Sequence, residues 1–259
     1  MKVGVIGNGY VGGAVAKGLL ALGDEVLVWD CLQDKATHTL EETCKAEFVF
    51  VCVPTPSPDG EQDLSAVNEM VLAVSELNPD AIILMKSTVV PGTCDALSAA
   101  YKIPVVSNPE FLSARTADQD FLDPNSIVAG HPERDVRRRV GQFYAVRFPD
   151  VPLFLYASCT EAEFVKYARN TFFALKVGYM NQLYDLATSL GVPWDSVKDG
   201  LAGSGWVSPM HTQVPGPDGK RGFGGACLPK DSEALVALAQ GKLTILEAAL
   251  EANRSHRGD

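Results

Sequence analysis

Lys2-Val3-Gly4-Val5-Ile6-Gly7-Asn8-Gly9-Tyr10-Val11-Gly12 opens the chain, and its reading decides the fold. An apolar run rich in β-branched residues leads into Gly-x-Gly-x-x-Gly, and a helical period over Val11–Leu22 follows. In a strand–loop–helix of this kind each glycine has a separate task. Gly7 permits the tight turn, Gly9 lets the backbone approach a diphosphate, and Gly12 lets helix and strand pack closely. The N–H groups of the first helical turn, at Tyr10 and Val11, face the phosphates with the helix dipole behind them. The next apolar run, Glu25–Trp29, ends at Asp30, where a carboxylate can accept hydrogen bonds from a ribose diol. Cys31 and Leu32 follow instead of an arginine, which favours NAD over NADP. A structural glycine turn with a solvated aspartate is the bland alternative, and the strand–loop–helix context weighs against it.

Outward from this unit the pattern repeats. Lys2–Ile6, Glu25–Trp29, Phe48–Cys52 and Ala81–Met85 read as buried strands, with helical patterns at Val11–Leu22, Leu64–Leu77 and Thr93–Ala100. Pro104–Val106, Ser126–Ala129 and Leu153–Tyr156 are further strands. Such alternation predicts an α/β fold, a doubly wound Rossmann-type parallel sheet ending near residue 157. From Thr160 to Leu190 one helical period runs almost unbroken, with Thr160 and Glu163 as a capping box at its start. Its near all-round apolarity predicts burial on several sides and a homodimer through this helix. A Gly- and Pro-rich loop covers Ala202–Gly225, and helices at Lys230–Ala239 and Ile245–Arg254 close the chain. The domains expected are 1–157, for the nucleotide, and 158–259, all-helical.

The 259 residues carry a net charge of −10. That balance argues against nucleic acid or anionic membrane as partner. No apolar run is long enough to span a bilayer. Six cysteines lie scattered, none in a C-x-x-C pair, so neither a metal site nor a secreted disulfide framework is expected. With a strand at the very N-terminus and no leader pattern ahead of it, the expected setting is the cytoplasm.

Three polar loops follow strands three to five: Val53-Pro54-Thr55-Pro56, Lys86-Ser87-Thr88-Val89-Val90-Pro91-Gly92-Thr93 and Asn108-Pro109-Glu110-Phe111-Leu112. Each alone reads as a loop held by prolines. Three at the carboxyl ends of strands suggest a ligand crevice. On the long helix Lys166 and Asn170 stand at i and i+4, with Glu163 and Asn181 near the same face. Lys166 reads equally as a lysine meeting an anion or as one whose stem snorkels to solvent. Gly222-Phe223-Gly224-Gly225-Ala226-Cys227-Leu228-Pro229-Lys230-Asp231 is the most informative segment. Its glycines let a loop press against a ligand, and Cys227 stands at the entrance to a helix, where the dipole and a nearby lysine favour a thiolate.

Taken together, GNGYVG, VPTP, KSTVVPGT, NPEFL, EAEFVKYARN and GFGGACLPKD resemble the UDP-glucose/GDP-mannose dehydrogenase family, its UDP-glucose 6-dehydrogenase branch above all, across nearly the whole chain. The resemblance implies a four-electron oxidation of a sugar C6 alcohol to the carboxylate with two NAD+ reduced in turn, as in polysaccharide biosynthesis. By motif, Cys227 attacks the intermediate aldehyde, and the resulting thiohemiacetal is oxidised to a thioester. Lys166 and Asn170 stabilise the reacting oxygen. Asp231 and Thr88 position a water or assist proton transfer, and Glu110 is acid and base in thioester hydrolysis. Lys230 contacts cofactor or substrate. Val53, Pro54, Thr55 and Thr88 join the nucleotide site. Phe111, Leu112, Phe223 and Gly224 join the substrate site. The chain departs from the family pattern at Ala114, where a second acid is common. It also stops about where the family's carboxyl-terminal nucleotide-binding domain would begin, and so reads as a short form. The loop Met210–Arg221 would then take over part of the nucleotide, with Lys220 and Arg221 as candidates for the diphosphate and His211 nearby; a solvated loop is an equal reading. Two alternatives remain: a two-electron β-hydroxyacid dehydrogenase, which leaves Cys227 without a role, and a catalytically inactive nucleotide-binding module.

Overall fold

The computed structural model describes residues 1–57 and 60–258. They form two compact units, one of residues 1–56 and 62–166, the other of residues 57, 60–61 and 167–258.

In the first unit, the Val-, Ile- and Phe-rich runs form β1 (Lys2–Ile6), β2 (Glu25–Trp29), β3 (Phe48–Val51), β4 (Ile82–Met85), β5 (Val105–Ser107), β6 (Ile127–Gly130) and β7 (Leu153–Tyr156). Their order is β2-β1-β3-β4-β5-β6-β7. β1 to β5 pair in parallel with in-register apolar contacts such as Val5↔Val28 and Val5↔Phe50. β3 and β4 are buried at every position, as expected of strands covered on both faces. The strand order reverses at β1 and β3, so the loops at their carboxyl ends open the crevice where doubly wound sheets bind ligands.

One correction concerns strand direction. β6 runs antiparallel to β5, joined through Ser107↔Gly130, and β7 runs parallel to β6. The connection passes through α5 (Ala117–Leu122), which lies against α1 (Tyr10–Ala21). A Cβ on Gly18 would sit 2.0 Å from the Phe121 ring, so only glycine allows that approach.

One face of the sheet packs on α1, α5 and α6 (Arg134–Arg147), and the other on α3 (Ser65–Leu77) and α4 (Thr93–Tyr101). α2 (Leu40–Cys44), α5, α6 and α8 (Trp194–Gly203) go beyond the helices read from the sequence. In α6 the apolar period is present at Val136, Val140, Phe143 and Tyr144, all buried, but the helix's five arginines, three of them between Val136 and Val140, obscure it. In α2 the Thr39/Glu42 capping box is complete.

The long helix α7 (Cys159–Ser189) starts differently from the expectation. Its capping box is Ser158 and Glu161: Ser158 Oγ accepts from the Glu161 N–H at 3.2 Å, and Glu161 Oε2 accepts from the Ser158 N–H at 3.0 Å. Thr160 donates to Asp95 instead. Glu163 accepts from the N–H groups of Gly92 and Cys94, at 2.6 and 2.8 Å, and so caps the start of α4. Nor is α7 buried all round: Phe172, Tyr179 and Leu186 are exposed, as is Leu190 just past its end.

In the second unit, α7 and α8 pack through Met180, Ala187 and Trp194 with Val214. A separate cluster joins Ala174 of α7, Phe223 and Leu250 of α10 (Thr244–Arg257), flanked by Leu228 and Val236 of α9 (Leu228–Ala239). Among the described residues no helix is long and apolar enough to cross a membrane.

Candidate active site

The glycine loop after β1 is built as its spacing requires. Gly7 has φ +89°, and a Cβ there would lie 2.8 Å from the Cys52 carbonyl oxygen. A Cβ on Gly12 would lie 1.8 Å from the Gly7 carbonyl oxygen. Gly9 differs: nothing lies within 4 Å of its Cβ position, so the loop presents bare backbone to open space there. α1 has no side-chain cap and no acid in its first turn, where Tyr10, Val11 and Gly12 stand. Asp30 accepts from the Asn8 N–H at 2.6 Å and the Leu32 N–H at 2.9 Å. Burial pushes its carboxyl up, but these two N–H groups, with the Cys31 thiol and the charge of Lys35, outweigh it and hold the group below the usual carboxylate value. An uncapped helix start, an open backbone loop and an ionised carboxylate beside it fit a dinucleotide with an unphosphorylated ribose.

The loops after β3 and β4 are tied together. Thr55 Oγ1 and Gln62 Nε2 each donate to the Thr88 carbonyl at 2.8 Å, and Ser87 Oγ donates to the Val53 carbonyl at 2.6 Å. Val53, Pro54, Thr55 and Thr88 thus belong to one rim beside the glycine loop. After β5, Glu110 is buried and meets Lys166 from α7. The Lys166 ammonium donates to Glu110 Oε1 at 2.8 Å and to the Glu110 carbonyl at 2.7 Å, and lies 5.7 Å from the Phe111 ring centroid. The second Glu110 oxygen accepts from the Leu112 N–H at 2.6 Å. Lys166 is therefore a buried, paired cation and not a snorkelling one.

Lys86, at the head of the loop after β4, is also buried. Its ammonium lies 5.8 Å from the Phe50 ring centroid and 5.9 Å from that of Tyr144. Burial pulls its pKa down to about 8 against the opposing pull of Cys52 and Glu110. Burial pushes the Cys52 thiol up to about 12.

In the second unit, Cys227 is the N-cap of α9, with Pro229 in the first turn, and is only partly exposed. One turn on, Asp231 is 1% exposed. It accepts from Asn170 Nδ2 at 2.6 Å and from Lys230 Nζ at 2.7 Å. The Asp231 N–H donates to the Cys227 carbonyl at 2.9 Å. Asn170, Lys230, Asp231 and Cys227 therefore form one connected group.

The loop ahead of Cys227 is held from behind. A Cβ on Gly224 would lie 2.3 Å from the Arg257 guanidinium, and one on Gly222 at the same distance from Asn253. Phe223 is in the core, and Asn253 takes both its N–H and its carbonyl. Its ring is thus a support for the loop. Arg221, expected at a diphosphate, is engaged elsewhere. It donates to Asn181 Oδ1 at 2.7 Å and to Asp185 at 2.8 Å, and stacks on Tyr184. Asn181 itself is buried and also accepts from the Gly222 N–H. His211 has φ +65° and packs on Phe173 at 4.5 Å; burial, with Lys176 and Arg169 beside it, keeps its pKa below the ordinary value. Lys220 lines a cavity with Gly224 and Pro229. Asn253 was not marked by the sequence, and Glu163 and Asn181 stood on the long helix without these partners, because the partners lie 30 to 71 residues away.

Known proteins share this fold. Residues 33–147 match the NAD binding domain of the UDP-glucose/GDP-mannose dehydrogenase family, and residues 160–255 match its central domain. The glycine loop at 7–12 lies ahead of the first match and rests on its own geometry. A UDP-glucose 6-dehydrogenase of Rickettsia felis is 33% identical over 223 residues, covering 82% of this chain and 49% of that protein. The chain thus spans about half the length of such curated relatives. A solved UDP-glucose dehydrogenase from Pyrobaculum islandicum superposes with a TM-score of 0.87 at 28% identity, covering 98% of this chain and 68% of that one. A 3-hydroxyisobutyrate dehydrogenase from Mycobacterium tuberculosis shares the fold at 20% identity, with a TM-score of 0.77 and coverage of 100% and 94%. With both matched domains in family order and the glycine loop, rim and Cys227 segment built as described, the chain belongs to the UDP-glucose/GDP-mannose dehydrogenase family.

Proposed function

We propose that this protein catalyses the NAD-dependent four-electron oxidation of a nucleotide sugar, UDP-glucose first among them, from the C6 alcohol to the uronate. The observation that carries the reading is Cys227 at the head of α9, backed by an Asp231 that is buried and held by Asn170 and Lys230. A two-electron alcohol dehydrogenase has no use for such a thiol.

Residues 1–157 would hold NAD, through Gly7, Gly9, Tyr10, Val11, Gly12, Asp30 and the Val53–Thr55 rim, and residues 158–259 would carry the thiol. NAD bound there supplies a hydride acceptor for each of the two oxidations. The rest is work for the chain's own groups. The Lys166 ammonium and Asn170 amide face the reacting oxygen and stabilise its negative charge. Cys227 Sγ bonds to the aldehyde carbon, and its proton passes to the new hydroxyl. This thiohemiacetal keeps the half-oxidised sugar on the enzyme. After the second oxidation the carbon is a thioester. Water positioned by Asp231 and Thr88 attacks it, the C–S bond breaks, and the carboxylate leaves as the thiol is restored. Glu110, hydrogen-bonded to Lys166, accepts and returns the proton of that water. We also propose a homodimer through α7.

The test is a screen of nucleotide sugars for NADH formation with the product weighed by mass spectrometry. Two NADH per sugar and a uronate product are expected, with no uronate from Cys227→Ser. A ratio near one, or full activity without the thiol, rejects the reading. The first outcome with small hydroxyacids as the only substrates would instead favour a β-hydroxyacid dehydrogenase. Calorimetric binding of NAD and UDP-sugar without turnover at any pH would favour an inactive binding module.

A further inference from the structure

Gly7, Cys52, Lys86 and Asn108 stand in a row across the carboxyl edge of the sheet. Strand register puts them there, since Ile6 pairs with Val51, Val51 with Met85 and Met85 with Ser107. The N–H groups of Cys52, Lys86 and Asn108 carry the ladder one step further, donating to the carbonyls of Ile6, Val51 and Met85. Side chains alternate along a strand, so Cys52, Lys86 and Asn108 share the face of Phe50, Leu84 and Val106, which α1, α5 and α6 cover. Gly7 and Lys86 are two strands apart, about 10 Å. Cys52 fills the step between them: a Cβ on Gly12, in the first turn of α1, would lie 3.2 Å from its Cβ.

The Lys86 ammonium lies against the rings of Phe50 and Tyr144. That box is fixed, because the Tyr144 hydroxyl donates to Asn108 Oδ1 and Asn108 Nδ2 donates to the Val128 carbonyl. Among the described residues no carboxylate pairs with Lys86. Four titratable groups surround it: Cys52 after β3, Glu110 after β5, Lys166 on α7 and Tyr144 on α6. Glu110 is taken by Lys166 at 2.8 Å. Burial pushes the Cys52 thiol up to about 12 and the Tyr144 phenol higher still, so both are neutral. On the helices of this face, Lys17 of α1 and Asp118 of α5 neutralise each other at an exposed contact. Lys86 therefore leaves one positive charge over. Ring faces offset a buried cation only in part, and the group wants an anion. Across Cys52, the glycine loop offers bare backbone at Gly9, and α1 starts with neither a side-chain cap nor an acid.

We propose that Lys86 is the buried counter-charge of the NAD diphosphate, acting through its field across Cys52 without touching the cofactor, so that NAD binding and Lys86 protonation are coupled. This rests on the glycine loop as the diphosphate site and holds for any alcohol as substrate. The start of a helix supplies about half a positive charge, whereas a diphosphate carries two negative ones. A buried cation about 10 Å off makes up part of the difference, and protein, unlike water, screens it little. The sign of the coupling follows. Free Lys86 releases its proton at about pH 8. A bound diphosphate favours the charged form, so binding takes up a proton just above that pH, and affinity falls as pH rises.

Calorimetry of NAD binding to the full chain, in buffers of unlike ionisation enthalpy, tests this apart from catalysis. For a coupling of about tenfold, binding at pH 8.5 should take up about half a proton per site, and affinity should fall about sevenfold from pH 7 to 9.5. ADP-ribose, which keeps the diphosphate and lacks nicotinamide, should behave as NAD does. Lys86→Arg holds its charge throughout, so its NAD binding should take up no proton at pH 8.5 and keep its affinity across the range. Lys86→Met should also take up none, and at pH 7 should bind NAD about tenfold more weakly while binding adenosine as before. If the methionine variant does not fold, the arginine variant and the unaltered protein decide. No proton uptake by the unaltered protein, or uptake that persists in Lys86→Arg, overturns the assignment. So does uptake with NAD but not with ADP-ribose, which would make the nicotinamide half the partner.

Discussion

Among the cysteines, burial separates the reactive from the inert. It pushes Cys44 up to about 11 and Cys52 up to about 12, and holds Cys94 and Cys159 high as well. A thiol so raised has almost no thiolate near neutral pH, and the thiolate is the nucleophile. Cys31 is exposed and Cys227 partly so. Brief iodoacetamide treatment of the native protein at pH 8, followed by peptide mass mapping, should therefore label Cys31 and Cys227 and spare the other four. Saturating UDP without NAD should protect Cys227 and not Cys31. Lys86 gives a second expectation. Its folded pKa is about 8 against 10.5 for the ordinary side chain. Between these values the unfolded chain holds a proton that the folded chain has released, so stability rises with pH through the window. The gain that the shift allows is about 3 kcal/mol. Melting curves from pH 7 to 9.5 should show the protein gaining on Lys86→Met as pH rises; parallel curves would mean that Lys86 is charged and compensated in the fold.

At the scale of elements, much was legible where the physics is local. Strands β1 to β5 follow from runs of branched apolar residues, and the glycine fingerprint follows from its position after β1. The direction of β6 was not legible, because an apolar run such as Ile127–Gly130 looks the same whichever way it enters the sheet. The start of α7 was misread for a related reason. Thr160 and Glu163 have capping spacing, but so do Ser158 and Glu161, and only the fold shows that Glu163 is drawn off to α4. The candidate site divides likewise. Motif singles out Cys227, Lys166 and Asp231 as candidates, whereas the engagement of Arg221 by Asn181 and Asp185 depends on residues 36 and more positions away. Glu163 offers a test of that reassignment. Glu163→Ala leaves the Gly92 and Cys94 N–H groups at the head of α4 without their acceptor, and should cost about 3 kcal/mol of stability. Thr160→Ala, if Thr160 is no cap, should cost well under half of that. Equal losses in chemical denaturation would restore the original box.

At the scale of the whole molecule, the exposed apolar stripe on α7 is the feature left to explain. Phe172, Tyr179, Leu186 and Leu190 are each more than half exposed. They recur at spacings of seven and four, so they share one face of the helix, opposite the stripe that holds Lys166, Asn170 and Asn181. Isolated exposed hydrophobes need no account, but a row of large ones along a helix marks an interaction surface. A seven-residue recurrence suits packing against a like helix, and a twofold axis would bury each residue twice. The protein should therefore have a dimeric mass in light scattering at micromolar concentration. Burying a large apolar side chain contributes about 1.5–3 kcal/mol. Because Phe172→Glu appears on both copies, it should weaken the dimer by about two to four decades in Kd. Circular dichroism and NAD affinity should stay unchanged, since neither the sheet nor the glycine loop uses Phe172. A monomeric mass for the unaltered protein, or an undiminished dimer in Phe172→Glu paired with Tyr179→Glu, would mean that this stripe is not the dimer surface.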